Sequence, residues 1–487
     1  MTIERPLTKT LFIAGVRCPR LMYYMYYHLK EIPKDSLGTD FRKKQGMYVG
    51  EVVKDLYPKA LDISKELDST KLKLTEENKD KIIFEASVQY NDLFARADIL
   101  FPNQDKTYDI LEVKSDTKVK PEHIPDVSFQ KYVFEKAGYK INKCYLLHIN
   151  NDYIKKEQLD INQLFKKEEI TDKISNYNTE YLINQLLDIL KSKETPNIKI
   201  CRSCLQPYQC SLKQECWKDL PFNNTTQLFY DKNLGFKLLE DGIKEIKQIP
   251  DDQEIKGRCA LQRSIQIKAT KKDKIHIQKQ EIKVFIDNIK YPIYYFDFET
   301  YALAVPVFNN SRPYQQVPFQ FSLHIEYKDG IIEHKEFLAT NKDDPRYELM
   351  EKMKEYLGNK GDILVYNKKF EQMIIRELER NFPKFKEYAQ NYLDRLSDLA
   401  HPFEKFHYYD PKQHGSYSIK AVLPVMSDLS YKGMAVSNGE EAFVTYEKII
   451  SGSLDSKEKE ELITSLKEYC KQDTWAEVVI LRKLREL

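Results

Sequence analysis

The fold of the second half of the chain is predicted from the stretch Tyr294-Tyr295-Phe296-Asp297-Phe298-Glu299-Thr300. This stretch predicts a strand in which side chains two residues apart share a face, so Asp297 and Glu299 lie together. Phe296 and Phe298 are then buried on the opposite face. Two carboxylates on a buried strand are costly unless their charge is compensated. A divalent ion would supply that compensation, so the stretch predicts a metal site.

Two later segments carry groups that extend this acidic pattern. Residues 364–371 end a strand and open a helix that carries a further acid, Glu371. Farther along the chain, Tyr469 and Asp473 lie about one helical turn apart and therefore share a helix face. Each segment alone is a weak signal, and a solvated charged face is the ordinary alternative for each.

The elements around these segments describe an α/β module. Alternating apolar and polar residues predict a hairpin of strands 319–327 and 331–338, with its turn at Asp329-Gly330. A helix from about Arg346, a strand at 362–366 and further helices follow. Residues from 291 onwards are therefore expected to form one domain of about 200 residues, which is near the usual domain size.

The first half of the chain carries its own acidic pattern, on strands predicted at 82–90, 95–101, 108–114 and 143–150. Asp98 lies on one strand, and Glu112-Val113-Lys114 lies on the strand expected to pair with it. Glu112 and Lys114 share a strand face, and two carboxylates with an ammonium group suit Mg²⁺ and a phosphate. A solvated strand face is again the ordinary alternative.

A family resemblance supports the metal site of this first half. Asp98 and Glu112-x-Lys114, followed by a helix at about 127–136 that bears Gln130, resemble the PD-(D/E)xK nuclease superfamily, specifically its RecB-like and CRISPR-associated RecB-like exonucleases. The resemblance implies that Asp98 and Glu112 bind the catalytic metal ion. It also implies that Lys114 is catalytic and that Gln130 belongs to the motif helix.

The chain departs from that superfamily at two places. Ala97 precedes Asp98 where the superfamily has Pro, and the upstream His of many relatives is not apparent. Glu51, in Gly50-Glu51-Val52-Val53, lies in the corresponding early helix. We therefore expect Glu51 to take the place of that His in the active site.

Cysteines cluster at the end of this module. Cys201, Cys204, Cys210 and Cys216 lie within sixteen residues. The start of the sequence lacks a secretory leader pattern, which predicts a reducing compartment where disulfides are not expected. Four such thiolates suit zinc or a [4Fe–4S] cluster, and their spacing alone does not decide between the two.

Iron–sulfur RecB-like nucleases resemble this arrangement, because they use one cysteine before the nuclease core and three after it. The resemblance implies a structural [4Fe–4S] cluster, with zinc as the alternative. Cys18 fits the early position, and Cys204, Cys210 and Cys216 match a related Cys-x2-Pro-Tyr-x-Cys-x5-Cys-Trp pattern. Cys201 competes with Cys216 for the fourth place, because it completes the common C-x2-C-x5-C spacing.

The acidic pattern of the second half resembles the DEDD exonucleases of the RNase H-like fold, in the variant that ends in Tyr-x3-Asp. The resemblance implies two metal ions, Mg²⁺ or Mn²⁺, held by Asp297, Glu299, Glu371 and Asp473. It also implies that Tyr469 orients the attacking water. Glu371 stands where that family has Asp, and its extra methylene can shift the second ion.

These patterns together predict an α/β multidomain protein. We expect a PD-(D/E)xK restriction-endonuclease-like domain at 1–222, a helical linker at 223–290 and an RNase H-like DEDD domain at 291–487. Residues 238–247 within the linker look like half of a helix-hairpin-helix, although an ordinary helix-to-helix connection fits equally well. The whole order resembles an uncharacterised bacterial family that fuses an iron–sulfur RecB-like nuclease to a DEDD exonuclease-like domain.

Composition excludes several other classes of protein. The 487 residues include 77 Lys and Arg against 75 Asp and Glu, so a wholly basic nucleic-acid coat is excluded. Neither G-x-x-x-x-G-K-[ST] nor G-x-G-x-x-G occurs, so a P-loop or a dinucleotide site has no support. No apolar run approaches the roughly 18 residues of a membrane span. We expect a cytoplasmic protein that does not bind membranes.

The function expected from these patterns is a metal-dependent nuclease that hydrolyses phosphodiester bonds of DNA, with RNA as the less favoured substrate, and acts on strand ends. DNA repair or processing and anti-phage defence are both suitable settings. The alternative is a nucleic-acid-binding scaffold in which the cysteine site is structural and one or both acidic sites are inactive.

Overall fold

The structure, a computed structural model, describes residues 3–487, which divide into two compact units. The first unit extends to Lys218 and also includes Leu303–Tyr314. The second unit consists of Asp219–Ala302 and Gln315–Leu487. Both units combine helices with β-sheet, so the predicted mixed α/β multidomain class is confirmed at this level.

The first unit contains a seven-stranded mixed sheet in the order β2-β3-β4-β5-β6-β7, with β1 parallel to β4. Strands β3, β4 and β5 are antiparallel neighbours, and β6 runs parallel to β5. The four strands predicted for this half are confirmed, with ends shifted by one or two residues. The strands are β1 (Leu7–Thr8), β2 (Leu61–Asp62), β3 (Ile83–Tyr90), β4 (Leu93–Pro102), β5 (Tyr108–Lys114), β6 (Ile141–Ile149) and β7 (Phe165–Glu169).

Helices cover both faces of this sheet. Neighbouring residues on a strand point to opposite faces, so Ile110 belongs to one buried core and Leu111 to the other. Phe12 and Phe129 stack at 4.8 Å in the core that includes Ile110. The helices are α1 (Lys9–Arg17), α2 (Pro19–Tyr27), α3 (Leu37–Lys54), α4 (Asp68–Glu77), α5 (His123–Lys136), α6 (Ile161–Leu164), α7 (Thr171–Ser175), α8 (Thr179–Ser192) and α9 (Lys213–Trp217).

The segment Leu303–Tyr314, expected within the 291–487 domain, belongs to the first unit instead. Its Ala304 and Val305 are buried in the core that contains Leu111. The Tyr314 hydroxyl donates a hydrogen bond to the Ser115 carbonyl oxygen. Burial of these apolar side chains explains why the segment leaves the domain to which its position in the sequence assigned it.

The second unit contains a five-stranded sheet in the order β11-β10-β9-β12-β13 and a separate pair of β14 with β8. The hairpin of β10 and β11 is confirmed and is antiparallel, whereas β9, β12 and β13 run parallel to one another. The strands are β8 (His276–Ile277), β9 (Ile293–Tyr301), β10 (Val317–Glu326), β11 (Ile332–Leu338), β12 (Ile363–Val365), β13 (Leu396–Asp398) and β14 (Tyr408–Tyr409).

The last helix of the second unit packs along this sheet through a continuous buried stripe. Leu466, Asp473 and Leu484 are among its buried positions, at intervals that keep them on one helix face. None of the helices in residues 3–487 is long and apolar enough to cross a membrane. The helices are α10 (Lys232–Glu240), α11 (Ala260–Lys272), α12 (Lys279–Asp287), α13 (Pro345–Tyr356), α14 (Lys368–Asn381), α15 (Lys386–Arg395), α16 (His401–Glu404), α17 (Ile419–Met426), α18 (Gly439–Ser451) and α19 (Ser456–Arg485).

Residues 223–290 were expected to be a separate linker, but they are grouped with the second unit. Leu228, Leu238 and Ile267 belong to a small buried core of this region, which gives it a packed interior. Of the two alternatives for residues 238–247, the structure has the ordinary connection. After α10 and the Gly242 turn, the chain forms only the short 3-10 helix Ile246–Gln248, and proline at position 250 follows it.

Candidate metal centres

Parallel strands bring the acids of the second unit to one edge of its sheet. Strand β12 pairs with β9 in parallel, with Leu364 opposite Tyr295, so the carboxyl ends of both strands meet. Asp297 and Glu299 lie on that part of β9, and Glu371 lies in the first turn of α14, which follows β12. The strand alternation predicted from the sequence therefore positions the acids as expected.

Helix α19 adds Asp473, a fourth carboxylate, to this edge. One oxygen from each of Asp297, Glu299 and Asp473 lies within 4.8 Å of the other two. This separation is comparable with the roughly 4 Å between opposite oxygen ligands of a Mg²⁺ ion. We call Asp297, Glu299, Glu371 and Asp473 the second-unit acids. The oxygens of Asp297, Glu299 and Asp473 could hold a metal ion, whereas Glu371 is not part of that close group.

Glu371 is buried, at 2% exposure, and its Oε2 has no hydrogen-bond partner among the described residues. Burial and then the charges of Asp297 and Glu299 raise the pKa of its carboxyl group well above the usual value. Asp398 fixes the preceding turn, because its carboxylate accepts the backbone N–H groups of Asn367 and Lys368 at 3.1 Å. Glu371 is thus held against the other acids without a partner for one of its oxygens.

The second-unit acids also raise one another's pKa values. The pKa of Asp297 is raised first by burial and then by the charge of Asp473. The pKa of Glu299 is raised first by burial and then by the charge of Asp297. Burial raises the pKa of Asp473 to about 6. Lys420 opposes these shifts as a nearby positive charge. A cation placed among these carboxylates would therefore be stabilised by each of them.

Two tyrosines and a lysine face the same acids. The Tyr431 hydroxyl donates to Asp473 Oδ1 at 2.6 Å, and Tyr469 also forms a side-chain hydrogen bond with Asp473. Burial raises the pKa of both tyrosines, so their hydroxyls stay protonated near neutral pH. Lys420 Nζ lies 5.3 Å from the Tyr431 ring centroid and 5.7 Å from that of Tyr469. The sequence patterns identified Tyr469 but missed Tyr431.

In the first unit, two lysines neutralise a pair of buried acids. Lys9 Nζ lies 2.8 Å from Glu112 Oε1 and 3.4 Å from Asp126 Oδ1. Lys114 Nζ lies 2.7 Å from Glu112 Oε1 and 2.6 Å from Asp126 Oδ2. Gln130 Nε2 donates to the same two carboxylates, at 2.6 Å and 2.9 Å. We call this group, together with Asp98, the first-unit site.

Sequence reasoning found part of the first-unit site. Asp98, Glu112 and Lys114 are brought together, and Asp98 Oδ2 accepts the backbone N–H of Val113 at 2.7 Å. Asp126, which takes part in the same pairing, is 3% exposed and lies against both lysines. No local pattern marks Lys9, which reaches Glu112 across 103 positions of sequence.

A cavity of about 500 Å³ opens beside the first-unit site. Asp98, Glu112, Lys114 and Lys9 contribute to its walls, which also include one face of α3. Glu51 lines this cavity as well, but its side chain is 66% exposed and pairs with Lys54 at 2.7 Å. Four members of the first-unit site and the more exposed Glu51 of α3 therefore line the same cavity.

Charge pairing in the first-unit site fixes the state of its lysine. Burial lowers the pKa of Lys114, but Glu112 and Asp126 raise it further, and the net shift is upward. Burial, with Asp126 and Asp98, raises the pKa of Glu112 to about 7 despite the two lysines. Lys114 is therefore an ammonium group that can donate to a phosphate or to water.

Five cysteines converge in the first unit. Burial is the largest cause that raises the thiol pKa values of Cys18, Cys204 and Cys216. The charges of at least two other cysteines also raise each of these pKa values. The charge of Cys210 raises the pKa of Cys18 and of Cys216, and the charge of Cys201 raises the pKa of Cys18 and of Cys204. All five are free thiols. The choice between Cys201 and Cys216 therefore stays a prediction.

Arg17 ties the first cysteine to the others. Its guanidinium donates to the Ser203 carbonyl oxygen at 3.0 and 2.9 Å and also to the carbonyl oxygen of Tyr208.

The chain is similar in sequence to a protein family and to several proteins whose descriptions assign no activity. Residues 294–418 match a family model described as a domain of unknown function (DUF2779), and this stretch includes Asp297, Glu299 and Glu371. The chain is 27% identical over 213 residues to "Uncharacterized protein MG366" of Mycoplasma genitalium, covering 40% of this chain and 32% of that protein. It is 27% identical over 240 residues to "Uncharacterized protein UU173" of Ureaplasma parvum, covering 45% and 34%. The chain thus spans about a third of the length of these curated relatives.

The raised pKa of Asp473 predicts how stability depends on pH without metal. Its folded pKa of about 6 exceeds the ordinary 3.8, so its contribution is fully present below about pH 4 and is lost as pH rises through 6. Relative to Asp473→Asn, the wild type should lose up to about 3 kcal/mol between pH 4 and pH 8. Calorimetric unfolding with EDTA measures this difference.

Mn²⁺ provides the matched control for that prediction. Because the ion favours the ionised carboxylate, it should stabilise the wild type at pH 8 more than it stabilises Asp473→Asn. A difference between the two proteins that is independent of both pH and Mn²⁺ would contradict the electrostatic account of this site.

Proposed function

We propose that the chain is a metal-dependent nuclease with its principal active site at the second-unit acids. The observation that carries the proposal is the set of carboxylate oxygens from Asp297, Glu299 and Asp473 within 4.8 Å of one another. Hard divalent ions such as Mg²⁺ and Mn²⁺ prefer carboxylate oxygens together with a substrate's phosphate. The RNase H-like DEDD identity proposed for this unit explains why a fourth acid and a tyrosine accompany that set.

The residues present fit divalent ions, which would polarise a phosphodiester and stabilise the charge that develops on its oxygens. In hydrolysis a water oxygen bonds to phosphorus, the bond from phosphorus to the leaving oxygen breaks, and the leaving oxygen gains a proton. Tyr469 would orient that water through its protonated hydroxyl, since the raised pKa makes a phenolate base unfavourable. Lys420 would attract the phosphate to the acidic edge.

A second active site is proposed in the first unit, as a PD-(D/E)xK site. The cavity of about 500 Å³ beside Asp98 and Glu112 favours it, because that volume gives a phosphate access to both acids and to Lys114. Gln130 would keep Glu112 oriented by its hydrogen bond of 2.6 Å. A metal ion there would have to compete with the two ammonium groups, so we expect weaker ion binding than in the second unit.

The cysteine group is proposed to hold a structural [4Fe–4S] cluster, with zinc as the alternative. The donor set fits, since five free thiols converge and such a cluster takes four thiolates. DNA is the proposed substrate and RNA the less favoured one. In the alternative, a nucleic-acid-binding scaffold, binding would persist without any cleavage.

In a protein that already carries Lys114→Ala, Asp297→Asn is expected to reduce the remaining Mn²⁺-dependent cleavage of end-labelled DNA by about 100-fold or more, because the second-unit site loses one of its charged carboxylates. Lys114→Ala should remove only the part of the cleavage that belongs to the first unit. The assay uses anaerobically purified protein, with single-stranded DNA, double-stranded DNA and RNA in parallel.

The matched control for Asp297→Asn is Asp329→Asn, at the exposed turn between β10 and β11, which should cleave like the wild type. Wild-type protein that binds DNA but cleaves none of these substrates with either Mg²⁺ or Mn²⁺ would support the scaffold instead. Cleavage unchanged by Asp297→Asn would move the activity away from the second-unit acids.

Anaerobic purification is expected to give a brown protein containing about four iron atoms per chain. Cys18→Ser should lose the colour and the iron, because it removes the only expected ligand that precedes the nuclease core. Comparing Cys201→Ser with Cys216→Ser decides the fourth ligand, since only one of the two should abolish iron binding. Colourless protein with one zinc ion per chain would overturn the iron–sulfur proposal.

A further inference from the structure

Glu477 is a buried acid on α19 that the sequence patterns did not single out. It follows Asp473 by four residues, as Asp473 follows Tyr469, so all three side chains share one face of the helix. The Glu477 side chain is only 1% exposed. It therefore belongs to the buried stripe of α19 and lies one turn beyond a carboxylate of the proposed metal site.

The surroundings of Glu477 are acidic. The charges of Asp297, Glu371 and Asp473 all act on its carboxyl group, which receives a backbone hydrogen bond from Tyr366. Oε2 of Glu477 nevertheless has no hydrogen-bond partner among the described residues. Oε2 of Glu371 likewise has no hydrogen-bond partner among the described residues. Two buried glutamates beside the same aspartate thus each keep one unpaired oxygen.

Another buried glutamate of the second unit shows how the fold satisfies an acid that has a structural role. Glu326 is 5% exposed, and Arg485 Nη1 donates to its Oε1 at 2.7 Å. The Tyr295 hydroxyl donates to its other oxygen. Leaving a buried carboxylate unpaired is costly, and removing its charge from water without a counter-charge is more costly still. Glu371 and Glu477 lack the compensation that Glu326 has.

We infer that Glu477 is a fifth carboxylate of the metal site and binds, together with Glu371, a second divalent cation beside the one at Asp297, Glu299 and Asp473. This inference rests on the proposed function, since it requires that the second-unit acids bind hard divalent ions. Such ions accept several carboxylate oxygens, and the unpaired Oε2 atoms are the oxygens available to them. The long Glu371 side chain then has a specific use, which is to share an ion with Glu477.

A Mn²⁺ titration of the full-length chain tests this inference, with the electron paramagnetic resonance signal of free Mn²⁺ as the readout. The titrated background carries Asp98→Asn and Glu112→Gln, so that first-unit acids do not contribute to the count. We expect this background to bind two ions. Adding Glu477→Gln should weaken one of them by about tenfold or more and retain the other.

Glu468→Gln is the matched control, because Glu468 is an exposed acid on the same helix. That variant should bind both ions as tightly as the background does. Two ions bound with unchanged affinity after Glu477→Gln would overturn the inference. If Glu477→Gln does not fold, as judged by circular dichroism, Glu477→Asp replaces it, since it keeps the charge and withdraws the carboxylate. The same two outcomes then apply.

Asp297→Asn in the same background separates this inference from the proposed function. It should weaken the binding of both ions, because Asp297 belongs to the close group of acids and its charge also acts on Glu371 and Glu477. Unchanged binding of both ions by Asp297→Asn would show that the metal site is elsewhere, and the proposed function would fail. Weaker binding of both ions with Asp297→Asn, but no change with Glu477→Gln, would overturn the role of Glu477 alone.

Discussion

Mutual repulsion of buried carboxylates is the constraint on which the second unit depends. Parallel pairing of β9 with β12 brings Asp297, Glu299 and Glu371 to one edge of the sheet. Helix α19 then places Asp473 and Glu477 against them. Burial and like charge together disfavour the ionised forms of these acids. Aromatic packing on β9 and the long buried stripe of α19 hold the acids together despite that cost.

The two units deal with buried negative charge in different ways. In the first-unit site, Lys9 and Lys114 lie between Glu112 and Asp126, so the metal-free protein is already close to neutral there. In the second unit the opposing cation is Lys420, which donates to a backbone carbonyl oxygen at 2.7 Å and not to an acid. A divalent ion would therefore gain more in the second unit than in the first.

Local sequence patterns were sufficient for much of the fold and for the acids that they mark. Alternation along β9 predicted that Asp297 and Glu299 share a face, and helical spacing predicted the same for Tyr469 and Asp473. Residues such as Lys9 and Tyr431 were missed, because only tertiary packing brings them to acids that are distant in sequence. Contacts of this kind leave no periodic signal in the chain.

Glu477 was missed for a different reason, because a signal did exist. It occupies the buried stripe of α19, in which most other positions are apolar. Because the helix carries many charged residues, one further acid does not stand out in the sequence. The segment Leu303–Tyr314 could not have been assigned from sequence order alone, since it follows β9 directly but packs in the core of the first unit. An acid in an apolar helical stripe is thus a more useful marker than local charge density.

We propose that Asp297, Glu299 and Asp473 together bind one divalent ion. Anomalous diffraction at the manganese absorption edge, from crystals of the 487-residue chain grown with Mn²⁺, locates bound ions. We expect a manganese peak in contact with all three carboxylates. Manganese peaks at other positions, with none at these three side chains, would show that these acids do not bind the ion.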